Sequence, residues 1–344
     1  MERPRTVPIE LVRAAAAFSS RRGWDVGALL QEAGVASTLL SDPRSRVTED
    51  QVVDLVQHMW RVTDDEMFGL GSHPLPRGSF RLLCYGLLGS DDLGDALSRL
   101  RGFLRAVPAL PVAIGSDGTT TTLSLTTPAD PEEEPLVLAT ALAGVHRLLS
   151  WLVRRELPLT DVLLPFGRPD DLELLRIAFT GPLTFGAESA SLRFDNQWLA
   201  TPINRSESDV EALVADSPRG LLTRPSYATT FEEQVRRLVE RDLRRGEASS
   251  AASVAGRLAV SPQTLRRRLA ETDTSLRQIT EQVRRDEAVL SLVAGTESVA
   301  ALAARLGFSE PSAFSRAFRR WTGSSPGAYR AAEESAPERE SDQA

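Results

Sequence analysis

Two stretches near the C-terminus read as one pattern written twice. The first is Val254-Ala-Gly-Arg-Leu-Ala-Val-Ser-Pro-Gln-Thr-Leu-Arg-Arg-Arg-Leu269 and the second is Ala301-Leu-Ala-Ala-Arg-Leu-Gly-Phe-Ser-Glu-Pro-Ser-Ala-Phe-Ser-Arg-Ala-Phe318. Leu258 matches Leu306, Val260 matches Phe308 and Ser261 matches Ser309. The second copy then carries one extra residue, so Leu265 matches Phe314 and Leu269 matches Phe318. Each copy reads as helix, tight turn, helix. In the first, Ala255, Leu258 and Ala259 form a small apolar face, Val260 fills the corner, Ser261 suits an N-cap and Pro262 the first helical position. In the second, Gly307 makes the turn, Phe308 fills it and Ser309 is expected to cap.

The second helix of each copy is amphipathic at helical spacing. Leu265 and Leu269 turn inward in the first, leaving Gln263, Thr264, Arg266, Arg267 and Arg268 outside. Ala313, Phe314, Ala317, Phe318 and Trp321 turn inward in the second, leaving Ser312, Ser315, Arg316, Arg319 and Arg320 outside. Glutamine matches adenine edges, arginine matches guanine edges, and serine or threonine serves bases or phosphates. Helix N-termini, here at Ser261 and Ser309, favour phosphate oxygens. Between the copies, Ser275 to Ala294 places Leu276, Ile279, Val283, Leu290 and Val293 on one face. A helix of that length spans ~30 Å, close to the ~34 Å turn of B-DNA, so it can set two recognition helices into successive major grooves. An arginine-rich helix is ordinarily just a solvated face, and one such pattern is a weak signal. Two copies with a matched connector point to double-stranded DNA.

The charge distribution agrees. The chain has 344 residues and a net charge of −7, which looks wrong for a DNA binder. Yet residues 231–332 carry 17 Arg against 12 acidic residues, a balance of +5, while the rest carries −12. The basic charge sits where phosphate would be met. All 40 basic residues are arginine.

Residues 231–332 resemble the C-terminal domain of AraC/XylS-type transcriptional regulators. Arg305-Leu-Gly-Phe-Ser, Phe314-Ser-Arg-Ala-Phe-Arg-Arg-Trp321 and Thr322-Gly-Ser-Ser-Pro-Gly-Ala-Tyr-Arg330 follow that family's signature. The resemblance implies a seven-helix domain with two recognition helices, promoter binding, most often for activation, and RNA polymerase as a further partner. The Arg266-Arg-Arg268 run is more basic than that pattern requires, which leans toward phosphate contacts. Pro76-Arg-Gly-Ser-Phe-Arg-Leu-Leu-Cys-Tyr85 and Leu93-Gly-Asp-Ala-Leu97 resemble the AraC-type ligand-binding region, the arabinose-binding-domain-like part of one branch of the family. That implies a sensor for a small organic effector.

Upstream, the residue pattern is mixed. Ile9, Leu11, Val12, Ala15, Ala16 and Phe18 form a helical face, and Thr48 with Gln51 forms a capping box ahead of Val52, Val53, Leu55, Val56 and Met59. A helix is expected from about Asp92 to Ala106, then a hairpin in which Val112 to Ile114 and Thr120 to Thr126 flank Asp117-Gly118. A long helix follows Pro135 to about Glu156. Short strands are expected at Val162 to Leu164, Leu183 to Phe185 and Ser191 to Phe194, with a helix at Asp171 to Phe179. The fold class expected is an α+β N-terminal sensor domain plus an all-α C-terminal domain with two helix-turn-helix units. Composition sets the domains at 1–215, a linker at 216–230, the DNA-binding domain at 231–332, and a disordered acidic tail at 333–344. A fragment starting near Pro225 is expected to fold alone.

Other chemistry finds little support. Cys84 is the single cysteine, so neither an internal disulfide nor the four-cysteine zinc site of DNA-alkylation response proteins is available. His58, His73 and His146 are scattered without metal-ligand spacing. No Gly-x-Ser-x-Gly elbow, Walker loop or dinucleotide fingerprint appears, so no enzyme and no cofactor is expected. Glu10 and Arg13 interrupt the N-terminal apolar stretch, which reads against a signal peptide. Leu136 to Val153, the most apolar segment, contains His146 and Arg147 and is short for a bilayer span. A cytoplasmic setting without membrane contact fits these features. Arg81, Cys84 and Tyr85 are the candidate ligand-binding residues, Arg81 for an effector carboxylate. Blander readings stand beside them: a surface arginine, and a buried inert thiol. The rival to a sensor is a constitutive regulator whose N-terminal domain serves only for homodimer formation or protein interaction.

Overall fold

The computed structural model describes residues 6–109, 111–127, 134–169, 172–222, 230–272 and 274–334. The chain opens with strand β1 (Thr6–Pro8), helices α1 (Glu10–Arg21) and α2 (Val26–Glu32), strand β2 (Arg46–Thr48) and helix α3 (Glu49–Thr63). β1 and β2 pair antiparallel, with Val7 opposite Val47. The capping box forms: the Thr48 amide donates to Gln51 Oε1 and the Gln51 amide donates to Thr48 Oγ1. Ile9, Val12, Leu29, Val47 and Val52 are buried.

The middle of the chain holds α4 (Ser79–Leu88), α5 (Leu93–Ala106), β3 (Val112–Ser116), β4 (Thr120–Leu125), α6 (Glu134–Leu152), β5 (Asp161–Leu164), α7 (Glu173–Ala178), β6 (Leu183–Phe185), β7 (Ala190–Asp195), α8 (Glu207–Ala215) and α9 (Arg219–Leu222). The five strands form one sheet in the order β3-β4-β7-β5-β6, antiparallel except for β5 with β6. The expected hairpin turns at Gly118, whose φ of +95° lies in the left-handed region glycine adopts freely. Asp117 secures the turn by accepting from the Thr119 and Thr120 amides. In β4, Thr121, Leu123 and Leu125 alternate inward, and Leu123 and Leu125 share one core with Leu142, Leu149 and Leu152 of α6. The α6 helix ends four residues before the expected Glu156.

From Phe231 onward the described residues are helical: α10 (Phe231–Arg244), α11 (Ala251–Arg257), α12 (Pro262–Ala270), α13 (Leu276–Ala294), α14 (Val299–Arg305), α15 (Pro311–Thr322) and α16 (Pro326–Glu334). That makes seven helices, as the family resemblance implies. The α+β region followed by an all-helical region with two helix-turn-helix units is the fold class expected. Of residues 333–344, read as a disordered tail, Glu333 and Glu334 belong to α16 and 335–344 lie outside the described residues.

The compact units are divided differently from the composition-based boundaries. One unit joins Met1–Leu55 to Thr229–Ala344, and the other is Val56–Ala228. Within the first, β1, β2 and the short 3-10 turn at Ser37–Ser41 pack on α13 and α16. The physical reason is a set of long-range polar contacts that local composition does not register. The expected linker also begins with structure: α9 packs on α6, and only 223–229 of it lie outside the described residues.

Candidate nucleic-acid interface

The first recognition helix is α12. Ser261 caps it, its hydroxyl accepting from the Thr264 amide at 3.1 Å, and Pro262 occupies the first turn. Leu265 and Leu269 are buried, which turns Gln263, Arg266, Arg267 and Arg268 outward and leaves Thr264 half-buried. The Arg268 guanidinium carbon lies 5.0 Å from the centroid of the Phe231 ring of α10, a cation–π contact that holds the charged group beside that helix. Arg267 pairs loosely with Glu271 at 3.8 Å, both side chains largely exposed, where such pairs contribute little. Arg266 is exposed and has no ion pair or hydrogen-bond partner for its guanidinium among the described residues.

The second recognition helix is α15, and here the cap differs from expectation. Glu310, not Ser309, stands at the N-cap, and no side chain caps the helix. The extra residue in the second copy moves the helix start by one, with Pro311 taking the first helical position. Ser309 remains exposed. Ser312 donates to Glu310 Oε2 at 3.1 Å and Ser315 donates back to the Pro311 carbonyl at 2.9 Å. Phe314, Ala317 and Phe318 are buried. A chain of aromatic rings runs from Phe308 (5.5 Å between Phe308 and Phe314) through Phe314 and Phe318 to Tyr329. This packing fixes the outward face, where Arg316 and Arg319 are exposed and free of ion pairs among the described residues. Arg320 is tied down: it donates to Glu281 of α13 at 3.0 Å, and Trp321 Nε1 donates to the same oxygen at 2.7 Å. These two donors hold the Glu281 carboxyl below the usual range against its partial burial.

Two further arginines escaped the sequence reading. Arg257 and Arg305 occupy the same position of the repeat, just before Leu258 and Leu306, and each guanidinium is tied to carboxylates although Arg257 is exposed and Arg305 half-buried. Arg257 forks onto Asp242 of α10 at 2.6 and 2.5 Å. Its hydrogen bonds, more than the opposing burial or the help of Ser249, hold the Asp242 carboxyl below its ordinary value. Arg305 reaches Glu297 at 2.6 Å and Glu287 at 3.2 Å. An arginine kept at one repeat position among alanines was the signal that could have found them. Each ties the first helix of its unit to a neighbouring element.

The connector α13 runs 19 residues from its cap at Ser275 to Gly295, which takes φ +63°. Its buried face differs from expectation. Ile279 and Val283 are buried, but Leu276, Leu290 and Val293 are only half-buried, and Asp286 and Glu287 are buried instead.

The ligand-binding candidates do not converge on one cavity. Cys84 is buried among apolar residues, and burial pushes its thiol up to about 12, with the Glu66 charge adding to the effect. Arg81 and Tyr85 both meet Glu211 of α8: Arg81 at 2.5 Å, Tyr85 through its hydroxyl to the same oxygen. A cleft of about 690 Å³ lies elsewhere, at the end of α5 and along the edge strand β3. Ser72, His73, Arg101, Leu104, Arg105 and Ile114 are among its walls. Arg101 donates to the Ile114 carbonyl at 2.9 Å and His73 sits 3.3 Å from the Pro108 carbonyl. Among the described residues no cluster of His, Cys, Asp and Glu could hold a metal ion, and no helix is long and apolar enough to cross a membrane.

Comparison with known proteins brings both regions together. Residues 23–203, more than half of the chain, match the family described as the N-terminal arabinose-binding domain of AraC transcription regulators, and residues 254–332 match a helix-turn-helix domain. The ornithine utilization regulator of Pseudomonas aeruginosa is 27% identical over 95% of this chain and 96% of its own. The helix-turn-helix transcriptional regulator VirS of Mycobacterium tuberculosis is 32% identical over 43% of this chain and 42% of its own. The crystal structure of the transcriptional regulator CdpR from Pseudomonas aeruginosa aligns with 94% of this chain and 98% of its own, at 21% identity and a TM-score of 0.31.

Proposed function

The chain belongs to the AraC-type helix-turn-helix transcription regulators, and we propose that it is a small-molecule-responsive activator that reads promoter DNA with α12 and α15. The observation that carries this reading is the pair of amphipathic helices at either end of one 19-residue connector. Both present outward side chains suited to base edges and phosphates. Gln263 and Arg266 in the first, and Arg316 and Arg319 in the second, are the base-reading candidates, since their functional groups are exposed. Ser261, Thr264, Arg267, Arg268, Ser309, Ser312, Ser315 and Arg320 sit around them and suit phosphate contacts that set the docking register. The protein works in the cytoplasm on this reading, with RNA polymerase as the partner it recruits.

The effector side rests on the match to the arabinose-binding domain and on the cleft beside β3. Two arginines and an imidazole stand among apolar walls there, which suits an anionic molecule with an apolar body. The name of the relative from Pseudomonas aeruginosa makes amino acids the first set to try. The test couples the two halves of the proposal. Carboxylate ligands are screened by thermal shift on the full chain, since a ligand that binds the folded state raises the melting temperature. Hits are then assayed for a change in affinity for promoter DNA. Ligands that bind without altering DNA affinity or transcription would sink the sensor reading, leaving a constitutive regulator.

A further inference from the structure

Residues 6–55 fold with the DNA-binding helices, and a buried charge marks the junction. Arg46, on β2, is 4% exposed. Its Nε donates to Thr6 Oγ1 and a terminal nitrogen donates to the Thr6 carbonyl, both at 2.7 Å. The Thr6 hydroxyl donates in turn to Oδ1 of Asp286 at 2.5 Å, and Arg46 Nε stands 3.8 Å from that oxygen. Asp286 lies near the middle of the connector α13. Arg236 of α10 reaches its other oxygen at 3.2 Å and Gln282 at 3.1 Å, and Arg285 closes the ring at 3.4 Å. The hydroxyl of the fully buried Tyr329 of α16 donates to the Arg46 carbonyl. Asp42, in the turn before β2, lies against Gly323, where a methyl group would overlap its carboxylate.

A buried carboxylate with several cationic partners is a poor route to stability, because desolvation offsets most of the attraction. Such groups serve better to fix geometry, since a shared carboxylate tolerates less sliding or rotation of a helix than an apolar contact does. Here the helix being fixed is the one that separates α12 from α15. We propose that Thr6, Arg46, Asp286 and Tyr329 are positioning residues for DNA reading. On this view the segment 6–55 is a brace belonging to the DNA-binding unit, and it sets the register between the two recognition helices. The proposal rests on the reading of α12 and α15 as the two DNA contacts.

The test uses the full chain and a duplex selected by it from random-sequence DNA. Three probes follow from that duplex: both half-sites at the selected spacing, one half-site alone, and both half-sites with about half a helical turn inserted. Thr6→Val and Tyr329→Phe each remove one hydroxyl, and Arg46→Met removes the charge. Joint engagement of two modules depends on their geometry, so Arg46→Met should lose about tenfold on the two-site probe and the hydroxyl variants a few-fold. All three should stay within about twofold of the native chain on the single half-site. Their preference for the selected spacing over the lengthened one should shrink in step. Arg46→Met carries the risk of misfolding, and the two hydroxyl variants then decide, because the ratio between probes is the readout. Equal losses on all three probes, or native behaviour on all three, would overturn the proposal. Selection that enriched no sequence would overturn the DNA reading and the brace with it.

Discussion

At Ala259 the backbone takes φ +53°, a left-handed conformation in which a β-carbon crowds the following carbonyl. The matching position in the second repeat is Gly307, at φ +79°. The turn geometry is therefore shared and only the second copy carries the residue that suits it. Ala259→Gly should stabilise the chain by up to ~1 kcal/mol, the strain relieved less the entropy glycine adds to the unfolded chain. Gly307→Ala should destabilise by about as much, and its methyl would press on Arg284 at 3.3 Å. Thermal unfolding of both variants checks this, and a lower melting temperature for Ala259→Gly would show the strain to be absent. Acid sensitivity is also a residue-scale matter. The Asp242 carboxyl lies below its ordinary value of 3.8, chiefly through Arg257. A lowered folded-state value means stability that is present above that ordinary value and lost as pH falls through the lowered one. Denaturant unfolding of the native chain should therefore weaken below about pH 4, and Asp242→Asn should show a shallower decline from a lower starting stability. Parallel pH profiles for the two would remove Asp242 from the account.

At the scale of elements, the two recognition helices should behave as readers and their supports as aimers. Gln263→Ala or Arg316→Ala should cost ~1–3 kcal/mol on the preferred site and relax its sequence preference. Arg245→Ala, at the far end of α10, should matter less. Equal losses on specific and random DNA for Gln263→Ala and Arg316→Ala would reject base reading by those side chains. These helices were legible in the sequence because they obey local rules. The apolar period placed Leu265, Leu269, Phe314 and Phe318 inside, and the Ser261-Pro262 pair marked the start of α12. The strands at Val162, Leu183 and Ser191 and the Asp117-Gly118 hairpin were legible for the same reason. The start of α15 was not, because Glu310-Pro311 sets the helix one residue later than the repeat suggests. Nor was the buried face of α13, since Asp286 and Glu287 look like solvated charges until Arg46, Arg236 and Arg305 arrive from distant parts of the chain. Arg81 and Tyr85 were singled out as ligand contacts, and what they meet is Glu211, some 126 to 130 residues away in sequence.

For the whole molecule, composition divides the chain at residues 216–230, whereas packing gathers the first 55 residues with the last 116. No run of local sequence announces such a return, because the partners of Thr6 and Arg46 lie at 286 and 329. As a DNA-binding regulator, the protein should lose affinity steeply with added salt, as several arginines displace counterions from phosphates. An effector that regulates binding must prefer one state of the protein, with a typical coupling of ~1–3 kcal/mol, and DNA must change effector affinity by the same factor. Calorimetric titration of a stabilising ligand with and without promoter DNA measures that factor, and identical affinities would exclude control through DNA binding. The central claim is that α12 and α15 each occupy a major groove on one side of the duplex. Hydroxyl-radical footprinting of the full chain on a selected duplex tests it most directly. The account predicts two protected patches on one face, about 10 base pairs apart, the first fading in Gln263→Ala/Arg266→Ala and the second in Arg316→Ala/Arg319→Ala. A single patch, or two patches that fade together in either variant, would contradict it.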